Sequence, residues 1–198
     1  MQNVMIDLET MGTGTDAAIV ALGAVFFDET GLGDTFYEKI SLESSVDSGL
    51  KMDASTVLWW MKQSDIARKE IYSPSANDIG IVLDRFSSFV DSHAEDMGWE
   101  PYYVLLWGNG SSFDNVILKN AYKQCKIESP FEFWNDRDYR TLCHLFPDIK
   151  KEPFEGTAHN ALDDSINQAK HAVKILREIA KATSPSAIIC PIVTKDID

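Results

Sequence analysis

The stretch VMIDLET, residues 4–10, opens the folded pattern of this chain, and two apolar runs follow it soon afterwards. Residues 19–27 and 35–40 are rich in β-branched and other apolar side chains, and glycine-rich or acidic turns separate the segments. Parallel strands need long crossover connections, so connections this short favour antiparallel neighbours. We therefore predict that the chain begins with an antiparallel meander of three strands.

The rest of the chain alternates helical periodicity with short apolar runs. Residues 102–107 form one such run, ended by Gly108 and Gly110, and this pattern predicts a buried strand. A further short strand is predicted near Tyr139. Helices are predicted at 55–61, at 77–93, at 114–124, around Leu142 and Leu145, and at 161–182. The order favours an α/β fold with a mixed sheet of about five strands and helices on both faces.

The chain length favours a single domain. The 198 residues are 44% hydrophobic and 25% charged, as in an ordinary globular domain, and they contain no repeat or linker. We assign residues 1–183 to this domain. The tail, residues 184–198, contains two prolines and a short apolar run, and it is expected to form an edge strand or a partner-binding arm.

Composition limits the location and the partners of the protein. No stretch approaches the roughly 18 apolar residues of a membrane span, so no membrane partner is expected. Cys125, Cys143 and Cys190 are far apart and lack zinc-type spacing, which favours the reducing cytoplasm. The net charge of -13 argues against a binder of long duplex grooves. It is compatible with an enzyme that holds a few nucleotides through bound divalent cations.

Three short motifs combine acidic residues with one histidine. Asp7 and Glu9 end the first strand and lie on one face of it, since side chains alternate along a strand. Asp114 begins a helix directly after the central strand. His159 precedes Asp164 by five residues at the start of the last helix. Taken alone, each motif also fits a solvated turn or a helix cap. Together they supply oxygen ligands suited to Mg²⁺ or Mn²⁺, and phosphoryl chemistry often uses two such ions about 4 Å apart.

In this order the motifs resemble the DEDDh branch of the DnaQ-like, RNase T-like exonucleases, which have a ribonuclease H-like fold. The third motif keeps the family spacing His-x-Ala-x-x-Asp, and the resemblance covers residues 4–180. Residues 53–61, DASTVLWWM, are similar to a segment of phage-type exonucleases and of the mycobacterial-type 3′-5′ exoribonuclease group. The second motif departs from the common His-Asn-Ala-x-Phe-Asp, because Asn109, Gly110 and Ser111 stand before Ser112-Phe113-Asp114.

The resemblance implies a metal-dependent 3′-5′ exonuclease that releases nucleoside 5′-monophosphates. By analogy, Asp7, Glu9, Asp114 and Asp164 would bind two Mg²⁺ or Mn²⁺ ions, and His159 would deprotonate the attacking water. Histidine suits this role because imidazole titrates near working pH. Only the family spacing separates Asp164 from its neighbour Asp163.

Five side chains are candidates for binding the end of the strand. They are Thr10, Met11, Trp59, Trp60 and Phe113. Stacking on an aromatic side chain contributes about 1 to 3 kcal/mol per base and tolerates any base. The helical spacing of the tryptophan segment equally fits a packed core. Trp99, Trp107 and Trp134 are interpreted as packing residues.

The expected partner is the single-stranded 3′ end of DNA or RNA, and the sequence leaves the sugar open. A homodimer is compatible with the apolar tail. A nucleic-acid-binding module without catalysis and a phosphatase or nucleotidyl-transfer enzyme on the same fold are the alternatives. The presence of four acids and a histidine favours the exonuclease.

Overall fold

The sheet of this protein contains five strands, which are β1 (Asn3–Thr10), β2 (Ile19–Asp28), β3 (Gly31–Lys39), β4 (Leu105–Gly108) and β5 (Asp136–Asp138). They are seen in a computed structural model that describes residues 1–98 and 103–183. The strands lie in the order β3-β2-β1-β4-β5. The first three are antiparallel, and β4 and β5 run parallel to β1. The mixed sheet with an initial antiparallel meander is thus confirmed.

Helices cover both faces of this sheet. They are α1 (Leu42–Asp47), α2 (Ala54–Met61), α3 (Asp65–Glu70), α4 (Ile79–Asp96), α5 (Asp114–Cys125), α6 (Tyr139–Leu145) and α7 (Ala161–Thr183). On one face, Ile6 of β1 belongs to the same buried cluster as Phe86 of α4. On the other, Met5 packs with Ala172 of α7. Because side chains alternate along β1, Asp7 and Glu9 lie on the face that α7 covers.

The first turn of α7 lies in direct contact with the backbone of β2. Gly23 of β2 is paired with Asp7 of β1. A Cβ atom added at Gly23 would lie 2.2 Å from the carbonyl carbon of Ala161, the first residue of α7. Only glycine allows this approach, and the approach brings the N-terminal end of α7 over the acidic end of β1.

The edge of the sheet has the predicted short strand followed by a brief helix. The short strand predicted near Tyr139 is confirmed as β5, which ends at Asp138, and Tyr139 is the first residue of α6, which contains Leu142 and Leu145. The side chain of Asp138 accepts a hydrogen bond from the backbone N–H of Thr141 at 2.7 Å. This cap starts the helix at Tyr139. The short helices α1 and α3 were not predicted, since six residues carry too little apolar periodicity to be recognised.

Two expectations concern parts of the chain that the structure does not describe. The edge strand or arm predicted at 184–198 lies outside the described residues, and so does the first residue of the run 102–107. Within the described ranges, no helix is both long enough and apolar enough to cross a membrane.

Candidate active site

Two of the predicted acids and the predicted histidine meet where β1 ends and α7 begins. The ligating atoms of Glu9, His159 and Asp164 all lie within 4.8 Å of one another. Glu9 is 7% exposed, while the other two side chains are partly exposed. The backbone N–H of His159 donates a hydrogen bond to Asp164 Oδ2 at 3.0 Å. This bond ties the histidine loop to the first turn of α7.

The other two predicted acids lie beside this group. Asp7 Oδ1 accepts a hydrogen bond from Gln168 Nε2 of α7 at 2.8 Å. Asp114 is buried at the start of α5, where its oxygens accept hydrogen bonds from the backbone N–H groups of Leu8 at 3.3 Å and Asn109 at 3.2 Å. The structure therefore brings all four predicted carboxylates and the histidine into one acidic cluster. We use "acidic cluster" below for Asp7, Glu9, Asp114, Asp164 and His159.

Burial raises the pKa values of the carboxylates in the acidic cluster, and neighbouring carboxylates raise those of Asp7 and Glu9 further. Burial and then the charge of Asp114 raise the pKa of Asp7 well above its ordinary value. Burial, together with the charges of Asp164 and Asp114, raises the pKa of Glu9 to about 8. Burial also raises the pKa of Asp114 to about 6, and it raises the pKa of Asp164. Like charges held this close together favour the binding of a proton or of a cation.

A close approach of backbone and side chain places Asp114 in the cluster. A Cβ atom at Gly108, the last residue of β4, would lie 2.3 Å from Asn115 Oδ1 and 3.0 Å from Asp114 Cβ. The glycine thus leaves room for the first turn of α5 against the end of β4. Asn115 also donates a hydrogen bond to the carbonyl of Leu106 at 2.9 Å, which fixes the start of the helix.

The two adjacent aspartates of α7 have different surroundings. Asp164 faces Glu9 and His159, as described above. The Asp163 carboxylate instead accepts a hydrogen bond from the backbone N–H of Thr157 at 2.7 Å. Asp163 therefore stabilises the loop before the helix, while Asp164 belongs to the acidic cluster.

A hydrogen-bond network that was not predicted holds the residue after the histidine. Asn160 caps α7, because its Oδ1 accepts from the backbone N–H groups of Leu162 at 3.1 Å and Asp163 at 3.0 Å. Its Nδ2 donates to Glu70 Oε2 at 2.8 Å, and Tyr37 donates to the same oxygen at 2.6 Å. Sequence reasoning missed Tyr37 and Glu70, because 33 residues separate them and the helix that carries Glu70 was not predicted.

An aromatic cleft of about 370 Å³ adjoins the acidic cluster at Glu9. Trp59 is 43% exposed there, and its ring centroid lies 5.2 Å from that of His159. Trp60 is only 2% exposed, and its Nε1 donates to the carbonyl of Thr10 at 2.9 Å. The cleft is lined by Glu9, Thr10, Gly12, Thr13, Ser55, Thr56, Trp59, Trp60 and Phe113. Four of the five predicted substrate-binding residues therefore meet in one cleft.

The fifth candidate and the remaining tryptophans have other positions. Met11 is 6% exposed and packs in the core, outside the lining of the aromatic cleft. Trp107 is buried at 8% exposure, as expected for a packing residue. The interpretation of Trp134 as a packing residue is wrong, since it is 58% exposed on a 3₁₀ helix, residues Phe133–Asn135, before β5. Trp99 lies outside the described residues.

A second, polar cleft of about 150 Å³ adjoins the acidic cluster at Asp164. Gln168 is 8% exposed, and its Oε1 has no hydrogen-bond partner in the described part of the chain. This oxygen can accept a hydrogen bond from a bound ligand or water. The polar cleft is lined by Asn109, Lys151, Glu152, Phe154, Asp164, Asn167 and Gln168.

The donor atoms of the acidic cluster fit a hard divalent cation. Four carboxylates supply oxygen ligands, which Mg²⁺ and Mn²⁺ prefer, and the cluster contains no thiolate. Burying several carboxylates side by side is costly unless a cation neutralises them. The raised pKa values of Asp7 and Glu9 express that cost. The arrangement can therefore bind a cation and present it to a phosphate.

Comparison with known proteins adds three findings. A family model described as the Rv2179c-like 3′-5′ exoribonuclease domain matches residues 2–176. An exodeoxyribonuclease of Enterobacteria phage T4 is 32% identical over 220 aligned positions, which cover 93% of this chain and 94% of the relative. The crystal structure of the nuclease domain of 3′hExo, a DEDDh family member bound to rAMP, matches with a TM-score of 0.58 at 16% identity. That match covers 89% of this chain and 92% of the other, and it confirms the predicted fold.

Proposed function

The chain belongs to the family of Rv2179c-like 3′-5′ exoribonuclease domains and is a 3′-5′ exonuclease of the DEDDh type, and on this premise we propose how it acts. We propose that it removes nucleoside 5′-monophosphates from the 3′ end of a single strand with two divalent metal ions and a histidine base. The observation that carries this proposal is the convergence of Asp7, Glu9, Asp114, Asp164 and His159 in one cluster.

In this proposal the four carboxylates hold the metal ions. Two Mg²⁺ or Mn²⁺ ions, when bound, would neutralise charge on the scissile phosphate and make a bound water more acidic. Gln168 keeps Asp7 in place through the hydrogen bond between Nε2 and Oδ1. The backbone N–H groups of Leu8 and Asn109 hold the two oxygens of Asp114 in the same way. The protein thus fixes two of its carboxylates by hydrogen bonds from groups that do not titrate.

We assign the role of base to the His159 imidazole. A ring nitrogen of His159 lies within 4.8 Å of oxygens of Glu9 and Asp164, so it can take a proton from a water held at these carboxylates. The ring of Trp59 meets the imidazole edge to face and covers one of its sides. Asn160, held by Glu70, restricts the backbone on the other side of the histidine.

We assign the terminal nucleotide to the aromatic cleft. Trp59 and Phe113 line this cleft and offer aromatic surface to a base, and stacking of this kind tolerates any base. The Thr10 hydroxyl donates to the carbonyl of Gly12 at 2.7 Å, so its oxygen can still accept a hydrogen bond from a terminal sugar. Trp60 is buried behind the surface of the cleft and holds Thr10 through a hydrogen bond, so we assign it a supporting role.

Degradation of labelled oligonucleotides tests the proposed function. DNA and RNA strands labelled at the 3′ or at the 5′ end would be incubated with Mg²⁺ or Mn²⁺. We expect stepwise loss from the 3′ end and release of nucleoside 5′-monophosphates, and we expect both to vanish in Asp7→Asn. Loss from the 5′ end, or equal activity in Asp7→Asn, would contradict the proposal.

The same assay determines the sugar preference, which the comparisons leave divided. The family model is described by an exoribonuclease, whereas the phage relative is an exodeoxyribonuclease.

The proposal also includes a homodimer, which light scattering would test. It includes a cytoplasmic location too, because Cys125 and Cys143 are both free thiols.

A further inference from the structure

Most cations of this acidic protein already have partners inside it. Ion pairs join Lys39 to Glu70, Lys51 to Asp16, Arg68 to Asp65, Arg85 to Glu38, Lys119 to Asp136, Lys170 to Glu155, Lys174 to Glu152 and Lys181 to Glu178. Arg137 and Arg177 donate to backbone carbonyls. Among the described residues, Arg140 and Lys151 form no ion pair with a carboxylate and donate to no backbone carbonyl. Other lysines of the described ranges without an ion pair, Lys62, Lys69, Lys123 and Lys126, line neither the aromatic nor the polar cleft. These two cations are therefore available to an anion from outside.

Arg140 lies at the edge of the acidic cluster. It is exposed, and its Nε donates to the side-chain oxygen of Asn109 at 3.2 Å. A Cβ atom at Gly110 would lie 3.8 Å from Arg140 Nε, so the guanidinium crosses the loop between β4 and α5. The backbone N–H of Asn109 donates in turn to Asp114 at 3.2 Å, so one residue connects Arg140 to the acidic cluster.

Lys151 belongs to the wall of the polar cleft. That cleft reaches the acidic cluster at Asp164, and Asn109, the partner of Arg140, also lines it. The Lys151 ammonium lies 5.1 Å from the ring centroid of Tyr139. Tyr139 and Arg140 are consecutive residues at the start of α6, so the two cations lie on neighbouring parts of the surface.

The two clefts lie at different carboxylates of the cluster and share no lining residue. The aromatic cleft includes Glu9, and the polar cleft includes Asp164. If the terminal nucleotide occupies the aromatic cleft, the scissile phosphate lies at the carboxylates. The polar cleft at Asp164, next to Arg140 and Lys151, then offers the strand a path past the cluster. A guanidinium offers a planar fork of donors that suits phosphate oxygens.

We propose that Arg140 and Lys151 bind the phosphates on the 5′ side of the scissile bond, an inference that rests on the proposed function. The two cations hold the part of the strand that remains after each cleavage. The role is one of substrate positioning, because neither residue needs to touch the reacting atoms. In a chain with a net charge of -13, two unpaired cations at this place give the anionic strand a local binding surface.

A substrate with no upstream phosphate tests this assignment. The p-nitrophenyl ester of thymidine 5′-monophosphate carries the scissile phosphate alone, whereas an oligonucleotide carries the upstream phosphates as well. We expect Arg140→Ala to lower kcat/KM on an oligonucleotide about tenfold and to leave kcat/KM on the ester unchanged. Lys151→Ala is expected to act in the same direction. Each change should also reduce the slope of log affinity against log salt by about 0.7 to 1.

Arg85→Ala is the matched control, since it removes an equal charge from α4, where Arg85 is paired with Glu38. Arg85→Ala should leave kcat/KM unchanged on both the ester and the oligonucleotide. An equal loss on the ester and on the oligonucleotide in Arg140→Ala would overturn the assignment. Unchanged turnover of the ester also shows that a variant is folded.

A neutral linkage in the substrate gives a second, independent test. Replacing the phosphate immediately upstream of the scissile one by a methylphosphonate should lower the kcat/KM of the wild-type enzyme. The same replacement should have little further effect in Arg140→Ala, because the partner is already missing. Equal losses of kcat/KM in the wild type and in Arg140→Ala would overturn the proposed contact between Arg140 and this phosphate. If the wild type cleaves neither ester nor oligonucleotide, the proposed function itself fails, and this inference fails with it.

Discussion

His159 has a left-handed backbone conformation, with φ 64°, which is uncommon for a residue with a Cβ atom. Asn160 follows it as the cap of α7, and Asp164 accepts the histidine N–H. These contacts hold the loop in a conformation that the histidine alone would not favour. The strain lies at the residue to which we assign the proton transfer.

We expect His159→Ala to keep metal binding and lose most of its turnover. The four carboxylates remain in place, whereas removal of a general base lowers kcat by about 100-fold or more. Titration calorimetry with Mn²⁺ and single-turnover cleavage of an oligonucleotide would measure the two properties. Turnover near that of the wild type would exclude His159 as the base.

The adjacent aspartates of α7 offer a comparison that changes the same chemical group at neighbouring positions. Asp164→Asn should abolish metal binding and cleavage, because Asp164 shares its site with Glu9 and His159. Asp163→Asn should retain metal binding and lose only loop stability, since Asp163 accepts the N–H of Thr157. Calorimetry on both variants tests the assignment. Loss of metal binding in Asp163→Asn alone would show that the two roles are reversed.

Among the elements, α7 depends most closely on one glycine of the sheet. Gly23→Ala would force the first turn of α7 away from β2, because the new Cβ would lie 2.2 Å from backbone atoms of Ala161. Backbone atoms cannot move aside as a flexible side chain can. We expect a loss of thermal stability and of activity together, because Asp164 would leave Glu9.

Gly33→Ala in β3 serves as the control for Gly23→Ala. There the nearest atom to an added Cβ is the sulfur of Met1, at 2.6 Å, which lies near the end of a flexible side chain. Melting temperatures and kcat/KM of the two variants would be compared. Equal effects would contradict the special role of the contact between β2 and α7.

Glu70 connects α3, β3 and the start of α7. Burial alone would raise its pKa, but hydrogen bonds from Tyr37 and Asn160 and the charge of Lys39 hold the pKa of Glu70 below its ordinary value of 4.5. A carboxyl group with a lowered pKa contributes stability above its unfolded-state pKa. That contribution is lost as the pH falls through the lower value of the folded protein.

We therefore predict that Glu70→Gln melts at a lower temperature than the wild type at neutral pH, and that the difference shrinks below about pH 4.5. Thermal unfolding between about pH 7 and pH 3 would measure it. Tyr37→Phe should lower the melting temperature less than Glu70→Gln does, with the same dependence on pH, because it removes one donor to the carboxylate. A difference that grows toward acid pH would contradict the assignment.

At the scale of the whole molecule, the acidic cluster links metal binding to stability. Metal-free, the carboxylates of β1, α5 and α7 repel one another, as the raised pKa values of Asp7 and Glu9 indicate. A cation bound only by the folded state stabilises it by about 2.7 kcal/mol at a concentration 100 times its Kd. Since β1 lies at the centre of the sheet, this gain applies to the whole fold.

We predict that Mg²⁺ raises the melting temperature of the protein by several degrees and that EDTA reverses the increase. Asp7→Asn should lower or abolish the increase, because Asp7 lies among the other carboxylates. Differential scanning calorimetry with NaCl at equal ionic strength as control would test this. An equal increase in the wild type and in Asp7→Asn would place the metal elsewhere.

The sequence by itself determined the fold class and the members of the acidic cluster. Runs of apolar and β-branched residues mark the three strands of the meander, and the period of a strand places Asp7 and Glu9 on one face. The resemblance of three ordered motifs identified the DEDDh exonuclease, and the family model and the phage relative confirm it. These features depend on local sequence patterns, which can be recognised without knowing the distant contacts of the fold.

Only the tertiary structure decided which residues support the cluster. The contacts of Gln168 with Asp7, of Glu70 with Asn160 and of Gly23 with Ala161 join positions far apart in the chain. No local periodicity encodes such pairs, because they arise when helices pack on a sheet. The same reason explains why the burial of Met11 and the exposure of Trp134 could not be predicted. Burial and exposure of a side chain depend on the neighbours that the fold supplies.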